Sequence, residues 1–256
     1  MAGVTRTLSF KTLAVIILVV VGQGPVQARP ADHRAITSSA TAPGAYEFDS
    51  HWYGPREVQG KVFPVGIPAD GKWLNWIDTF GAPRMRLVAG VWKQVGVHEG
   101  TDIYAERGSP VMSVTSGVVE NIGWTFYSGY RVGVRGTDGA YYFYAHLLRP
   151  TPAGLVKGST VKTGQRIGTL GNSGYGPEGT IDEFPPHLHF GVQRGETWID
   201  AHQSLVDTYR ATMTSIRGSL SQITKLDGEL ANPAAPDKPT LSAKREALIK
   251  ELAIFS

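Results

Sequence analysis

"PPHLHF" (residues 185–190) sets His187 and His189 two positions apart, and "HEGTDIYA" (residues 98–105) sets His98 and Asp102 four apart. In a strand, residues two apart point to one face, so His187 and His189 project together while Leu188 and Phe190 turn the other way into apolar packing. Two imidazoles on one face begin a metal or proton-transfer site, and they also occur on a half-exposed strand that carries no function. In the earlier stretch, Gly100 lets the backbone bend, so that an imidazole and a carboxylate four residues apart converge. Nitrogen and oxygen donors of this kind suit zinc. Asp102 stands where the second histidine of a helical HExxH site would be, and Gly100 and Thr101 disfavour helix. Glu99 is expected to point away, as a structural or solvated residue.

Around these stretches the texture is that of a β-protein. "YYFYAHL" (141–147) alternates so that Tyr142, Tyr144 and His146 are expected on one face. A strand histidine at such a place is either a buried residue bonded to a backbone carbonyl or part of a site. Asp138-Gly139 between two alternating runs signals a hairpin. "SPVMSVTSGVVENIG" (109–123) and "VKTGQRIGTLGNSG" (161–174) read as further strands joined by tight turns. The 31 glycines and 16 prolines in 256 residues favour short strands over long helices. Cysteine is absent, so no disulfide braces the fold and no thiolate acts as nucleophile or ligand. Any metal falls to His, Asp or Glu.

The ends differ. Residues 1–28 have the form of an export signal: Arg6 and Lys11, an apolar core from Leu13 to Val21 too short for a comfortable membrane span, and a small-x-small ending at Val26-Gln27-Ala28. Left uncleaved, it would be a membrane tether. In either case the remainder is expected beyond the cytoplasmic membrane, periplasmic or extracellular and wall-associated. The formal charge of +3 falls to +1 without the two leader cations, which leaves no electrostatic footprint for nucleic acid. Residues 29–57 read as a flexible linker followed by an aromatic lead-in, with His33 solvated and His51 a surface or packing residue. After a domain at 58–200, residues 201–256 form a helical extension. Asp200 and Gln203 suggest an N-cap with a capping box. Leu205, Tyr209, Met213, Ile216, Leu220, Ile223, Leu226 and Leu230 then recur at helical spacing over about eight turns, weakened by Gly218 and Gly228. "ANPAAPDKP" (231–239) ends that helix and a shorter one follows. Its apolar stripe packs on the sheet domain, on the second helix or on a partner protein.

Taken in order, "HEGTDIYAERGSPVMSVTSGVV", "YYFYAHL", "GQRIGTLGNSG" and "PHLHF" resemble the lysostaphin-type (LytM-like) zinc metallopeptidases that cut peptidoglycan peptides, from about Asp78 to Asp200. The resemblance implies an all-β catalytic domain of antiparallel sheets, of the duplicated-hybrid-motif type, preceding the helical extension. It implies a zinc ion held by His98, Asp102 and His189 with an open position for water, and two catalytic histidines, His146 and His187, whose division of labour stays open. Tyr144 and Asn172 are expected to meet substrate. An exported endopeptidase acting on stem peptides or cross-links follows from the resemblance. A non-hydrolytic wall-binding module, a regulator of other wall hydrolases, and a peptidase acting on glycine-rich proteins are the alternatives. The chain departs from the family in the acidic loop "YGPEGTIDEFP" (175–185), expected to rim the cleft and favour an amine, or else to be solvated without a role. It departs again at Gly191, where relatives carry an acid and where the strand end is expected to loosen. "GTLGNSG" lacks a following helix for phosphate binding, and Ser173 lacks a nucleophile elbow because Tyr175 replaces the last glycine.

Overall fold

Strands drawn mainly from residues 101–199 build one antiparallel sheet whose central strands carry the chemistry, and two-stranded sheets and two helices lie around it. A computed structural model describes residues 52–69, 74–148 and 154–252. The leader, the linker, the aromatic start at Tyr46 and Phe48, and His51 lie outside the described residues. In chain order the elements are β1 (Trp52–Tyr53), β2 (Ile67–Pro68), β3 (Leu74–Trp76), β4 (Pro83–Val88), β5 (Val91–Val97), β6 (Thr101–Ala105), β7 (Pro110–Met112), β8 (Gly117–Thr125), β9 (Gly129–Gly136), β10 (Tyr141–Leu147), β11 (Thr160–Val161), β12 (Arg166–Thr169), β13 (His187–Arg194), β14 (Thr197–Ile199), α1 (His202–Ala231) and α2 (Lys238–Leu252). The main sheet runs β11-β8-β9-β10-β13-β6-β3, and β14 also pairs with β13. Every pairing is antiparallel, as expected for an all-β domain with a helical extension.

The expected turn at Asp138-Gly139 joins β9 to β10. Gly139 has φ +78°, and the Asp138 carboxylate accepts a hydrogen bond from the Ala140 amide at 3.2 Å. One face of the sheet carries Ile103, Tyr142, Tyr144, Leu188 and Phe190, all buried. Helix α1 closes this core, burying Leu205, Ile216 and Ile223. Tyr209 completes an aromatic group with Phe63 and Trp76, with centroids 4.9–5.3 Å apart. The lead-in segment straps the helices down. The Arg56 amide donates to Thr212 Oγ1 at 3.0 Å, its Nε donates to Ser215 Oγ at 3.0 Å, and the Gly54 amide donates to the Leu252 carbonyl at 2.9 Å.

The helix begins one residue later than the capping signal suggests. Ala201 is the N-cap and makes no side-chain cap bond, while Asp200 accepts from the His202 amide at 2.7 Å. Gln203 bonds Asp207 instead of closing a capping box. Gly218 and Gly228 face open space and do not interrupt the helix. Packing on the sheet outweighs their propensity cost of about 1 kcal/mol each.

Candidate metal and catalytic centre

The other face of the same strands is polar. In register, His189 lies between Ala145 on β10 and Asp102 on β6, and His187 lies opposite Tyr104. Directly opposed residues bring their side chains together, so the sheet itself carries Asp102 to His189. His98 arrives from outside the sheet, just after β5. Its amide donates to the Ala82 carbonyl and its carbonyl accepts from the Gly81 amide, each at 2.8 Å.

Three donor atoms meet here. His98 Nε2 and His189 Nδ1 are 2.9 Å apart, and each lies 3.0 Å from Asp102 Oδ1. His98 and Asp102 are buried and His189 is half-buried. His98 Nδ1 donates to the Thr79 carbonyl at 2.9 Å, which fixes the ring and turns Nε2 toward the other donor atoms. Two imidazoles and one carboxylate crowded to this spacing, without a thiolate, match the donor chemistry of zinc and leave coordination positions open. Burial alone would raise the Asp102 carboxyl. Hydrogen bonds from His189 and His98, with the charges of His189 and His187, outweigh it and hold the group far below the usual carboxylate range.

Gly100 is required for a different reason from the bend expected of it. A Cβ there would lie 2.6 Å from the Phe190 carbonyl and 2.8 Å from the His189 ring. The glycine is what allows the donor rings to approach.

Two further histidines stand beside the donors. His187 Nδ1 donates to the Pro185 carbonyl at 2.9 Å, and His146 Nδ1 donates to the Ser173 carbonyl at 2.8 Å. A carbonyl only accepts, so both rings keep Nε2 unprotonated and available as a base. Their ring centroids are 4.8 Å apart. Burial is the main cause that lowers both pKa values; His187 and His189 add to the effect at His146, and Asp102 partly opposes it at both. Burial likewise lowers His189.

His146 reaches this face by breaking alternation. It has φ +62°, and the β9–β10 register shifts between Tyr144 and Leu147, so a bulge turns the ring through the sheet. The expectation that Tyr142, Tyr144 and His146 share a face is therefore corrected. Tyr144 is wholly buried on the core side, where its hydroxyl accepts from the Val114 amide at 2.9 Å, and it cannot meet a substrate in the cleft. Asn172 is also buried. Its Nδ2 donates to Asp182 Oδ1 at 2.9 Å and to the Phe184 carbonyl at 3.1 Å, so it holds the acidic loop in place and does not face the cleft. Ser173, passed over as a nucleophile, is structural: its Oγ donates to the Leu147 carbonyl at 2.6 Å.

The cleft over these groups has a volume of about 210 Å³. Its walls include Arg84, Tyr127 and Trp198, which the sequence signals do not single out, Tyr175 from the loop expected to rim the cleft, and Glu99, expected to point away. Tyr175 stacks beside His146 at 6.1 Å, and Phe184 meets the same ring edge-on at 4.7 Å. The acidic loop thus reaches the cleft through its aromatics, while Asp182 pairs with Arg107 at 2.9 Å. Gly191 does not loosen β13. Trp198 packs into the space a side chain would take: a Cβ at this position would lie 2.7 Å from the indole and 2.9 Å from the Glu99 carbonyl.

The model of Peptidase family M23 matches residues 96–201. Over these residues the chain is similar to the M23 peptidases, and His98, Asp102 and His189, which could hold a metal ion, lie within the matched stretch. Over 143 residues the chain is 40% identical to an L-Ala–D-Glu endopeptidase of Bacillus subtilis, covering 56% of this chain and 40% of that protein. Over 156 residues it is 32% identical to the peptidoglycan DD-endopeptidase ShyC of Vibrio cholerae, covering 59% of this chain and 33% of that protein. The solved catalytic domain of lysostaphin from Staphylococcus simulans is 27% identical, with a TM-score of 0.40, covering 53% of this chain and 93% of that one. The chain spans less than half the length of the two curated relatives.

Proposed function

We propose that this protein is an exported zinc endopeptidase that hydrolyses peptide bonds in peptidoglycan stem peptides or cross-links. The observation that carries the reading is the convergence of the His98, Asp102 and His189 donor atoms beside His146 and His187, whose Nδ1 atoms donate to carbonyls and leave Nε2 unprotonated. Export rests on the form of the leader, and the wall substrate rests on the names of the relatives. Zinc held by the three donors would supply Lewis acidity to the scissile carbonyl and to the attacking water. The protein does the rest. The Nε2 atoms of His146 and His187 take a proton from water as its oxygen bonds the carbonyl carbon, and return a proton to the amine as the C–N bond breaks. Their lowered pKa values keep both rings in the base form at neutral pH. Once protonated or hydrogen-bonding, either ring also steadies the developing oxyanion. The Pro185 and Ser173 carbonyls fix both tautomers, so no reorganisation is needed at the moment of reaction.

The alternative of a regulator with an occluded cleft finds no support in the helices. Among the described residues, α1 packs on the core face, α2 packs against α1, and neither contributes to the cleft walls. The test is release of soluble peptides from purified sacculi by the mature protein, beside His146→Ala and a chelated sample restored with zinc. Release that needs both zinc and His146 is expected. A protein that binds one zinc per chain yet releases nothing would end the endopeptidase reading.

A further inference from the structure

The hairpin β4–β5 (residues 83–97) contains Arg84, Arg86 and Lys93 and no acidic residue. Its base is pinned by the two main-chain bonds between Gly81, Ala82 and His98, so its side chains hold a set position relative to the donor atoms. Arg84 lines the cleft, and Arg86, two residues on along β4, meets Tyr127 of the same wall. Arg86 Nη2 donates to the Tyr127 hydroxyl at 2.6 Å, with the guanidinium 5.1 Å from that ring's centroid. Arg84 lies deeper, in the cleft wall, with Nη2 3.5 Å from Asp102 Oδ2. A guanidinium has five N–H donors in a planar fork. Among the described residues this loose ion pair is the only polar contact of the Arg84 side chain, which is 41% exposed. Glu99, an acid on the cleft wall, forms no ion pair with it among the described residues.

A cation beside the reacting groups with most of its donors unused among the described residues is arranged to receive an anion. We propose that Arg84 binds a free carboxylate on the residue adjoining the scissile bond, so that the cleft selects anionic peptides over neutral ones such as oligoglycine. This rests on the peptidase reading above and adds the substrate's charge to it. A carboxylate accepts two parallel N–H bonds from the fork, and Arg86 extends the positive wall along the hairpin. Arg84 sits close to the donor cluster, so the recognised carboxylate belongs to the carbon that bears the scissile nitrogen or to its near neighbour.

The test compares two short peptides on the full, zinc-loaded chain: an alanyl-γ-glutamyl peptide with its α-carboxylate free, and the same peptide with that group as a carboxamide. The wild type is expected to prefer the carboxylate roughly ten- to a hundredfold in kcat/KM, chiefly through KM. Arg84→Gln should bring that ratio to about one, and Arg84→Lys, which keeps the charge and loses the fork, should fall between. A wild-type ratio near one would overturn the proposal. So would an Arg84→Gln variant that loses both peptides equally together with zinc affinity, because Arg84 would then serve Asp102 alone. Calorimetric binding of the same peptides separates this from the peptidase reading. A preserved binding preference without hydrolysis sinks the peptidase and leaves the carboxylate site standing, while equal binding sinks the site.

Discussion

Strand β13 presents two chemistries on one backbone. Its odd positions, His187 and His189, face Asp102, Tyr104 and Ala145 in the cleft, and its even positions, Leu188 and Phe190, face Ile103, Tyr144 and the core beneath α1. The hydrogen-bond ladder is common to both sides, so the difference lies entirely in what each side excludes. The core face excludes water through close packing and gains stability from it. The cleft face buries charged and polar groups, which costs stability unless they bind one another or an ion. Function is thus placed on the destabilising face of an element that is anchored by its stabilising one.

Neighbouring substitutions on this strand should break the comparison cleanly. His189→Ala should lower kcat/KM about a thousandfold or more and remove zinc, as metal analysis would show, with the fold retained. Leu188→Ala, one residue away, should cost about 2–5 kcal/mol in denaturant unfolding while the folded fraction still binds zinc. Equal losses of stability in the two variants would mean that the faces are not separable. At Gly191 the two sides are linked through Trp198, and Gly191→Ala should cost about 1–3 kcal/mol, because its Cβ meets both the indole and a backbone carbonyl. A variant as stable as the wild type would show that Trp198 gives way.

The titrating groups sharpen the contrast further. The pKa values of His146, His187 and His189 are lowered from 6.5, mainly by burial, so below that pH the unfolded chain binds more protons than the folded one. Metal-free protein should therefore hold its Tm above about pH 6.5 and lose several degrees as the pH falls beneath it, with the depressed Asp102 adding to the loss at lower pH. A Tm that is level or rising on acidification would contradict the assignment. The smallest effect is expected at Asp182, whose pair with Arg107 is largely exposed. Asp182→Asn should change stability by less than about 1 kcal/mol, and a larger loss would mean that the loop's seat on Asn172 depends on charge.

Much of this architecture is legible in the sequence. Period-two alternation and the Asp138-Gly139 turn predict antiparallel sheet, and three- and four-residue spacing predicts α1 over nearly its full length. His98, Asp102, His187 and His189 can be read as candidates because each sits in a short stretch whose geometry is local. Where an expectation fails, a long-range contact has intervened. Alternation places His146 with Tyr144, and a bulge sends it to the other face, since the ladder to β9 slips there. Asn172 looks accessible in its glycine-rich turn, but the loop that returns over it takes up its amide nitrogen. Arg84 carries no signal in its own neighbourhood, and only the folded hairpin brings it to Asp102.

The sequence by itself determined the elements, the face each donor would occupy in its own strand and the absence of thiol chemistry, because these depend on periodicity and side-chain type within a few residues. Tertiary structure alone decided which faces met: the register that sets His189 against Asp102, the bulge that recruits His146, and the hairpin that sets Arg84 in the cleft wall. Those are consequences of pairing between segments as much as 91 residues apart, as for His98 and His189. Local preference has no term for such pairing, and packing selects it.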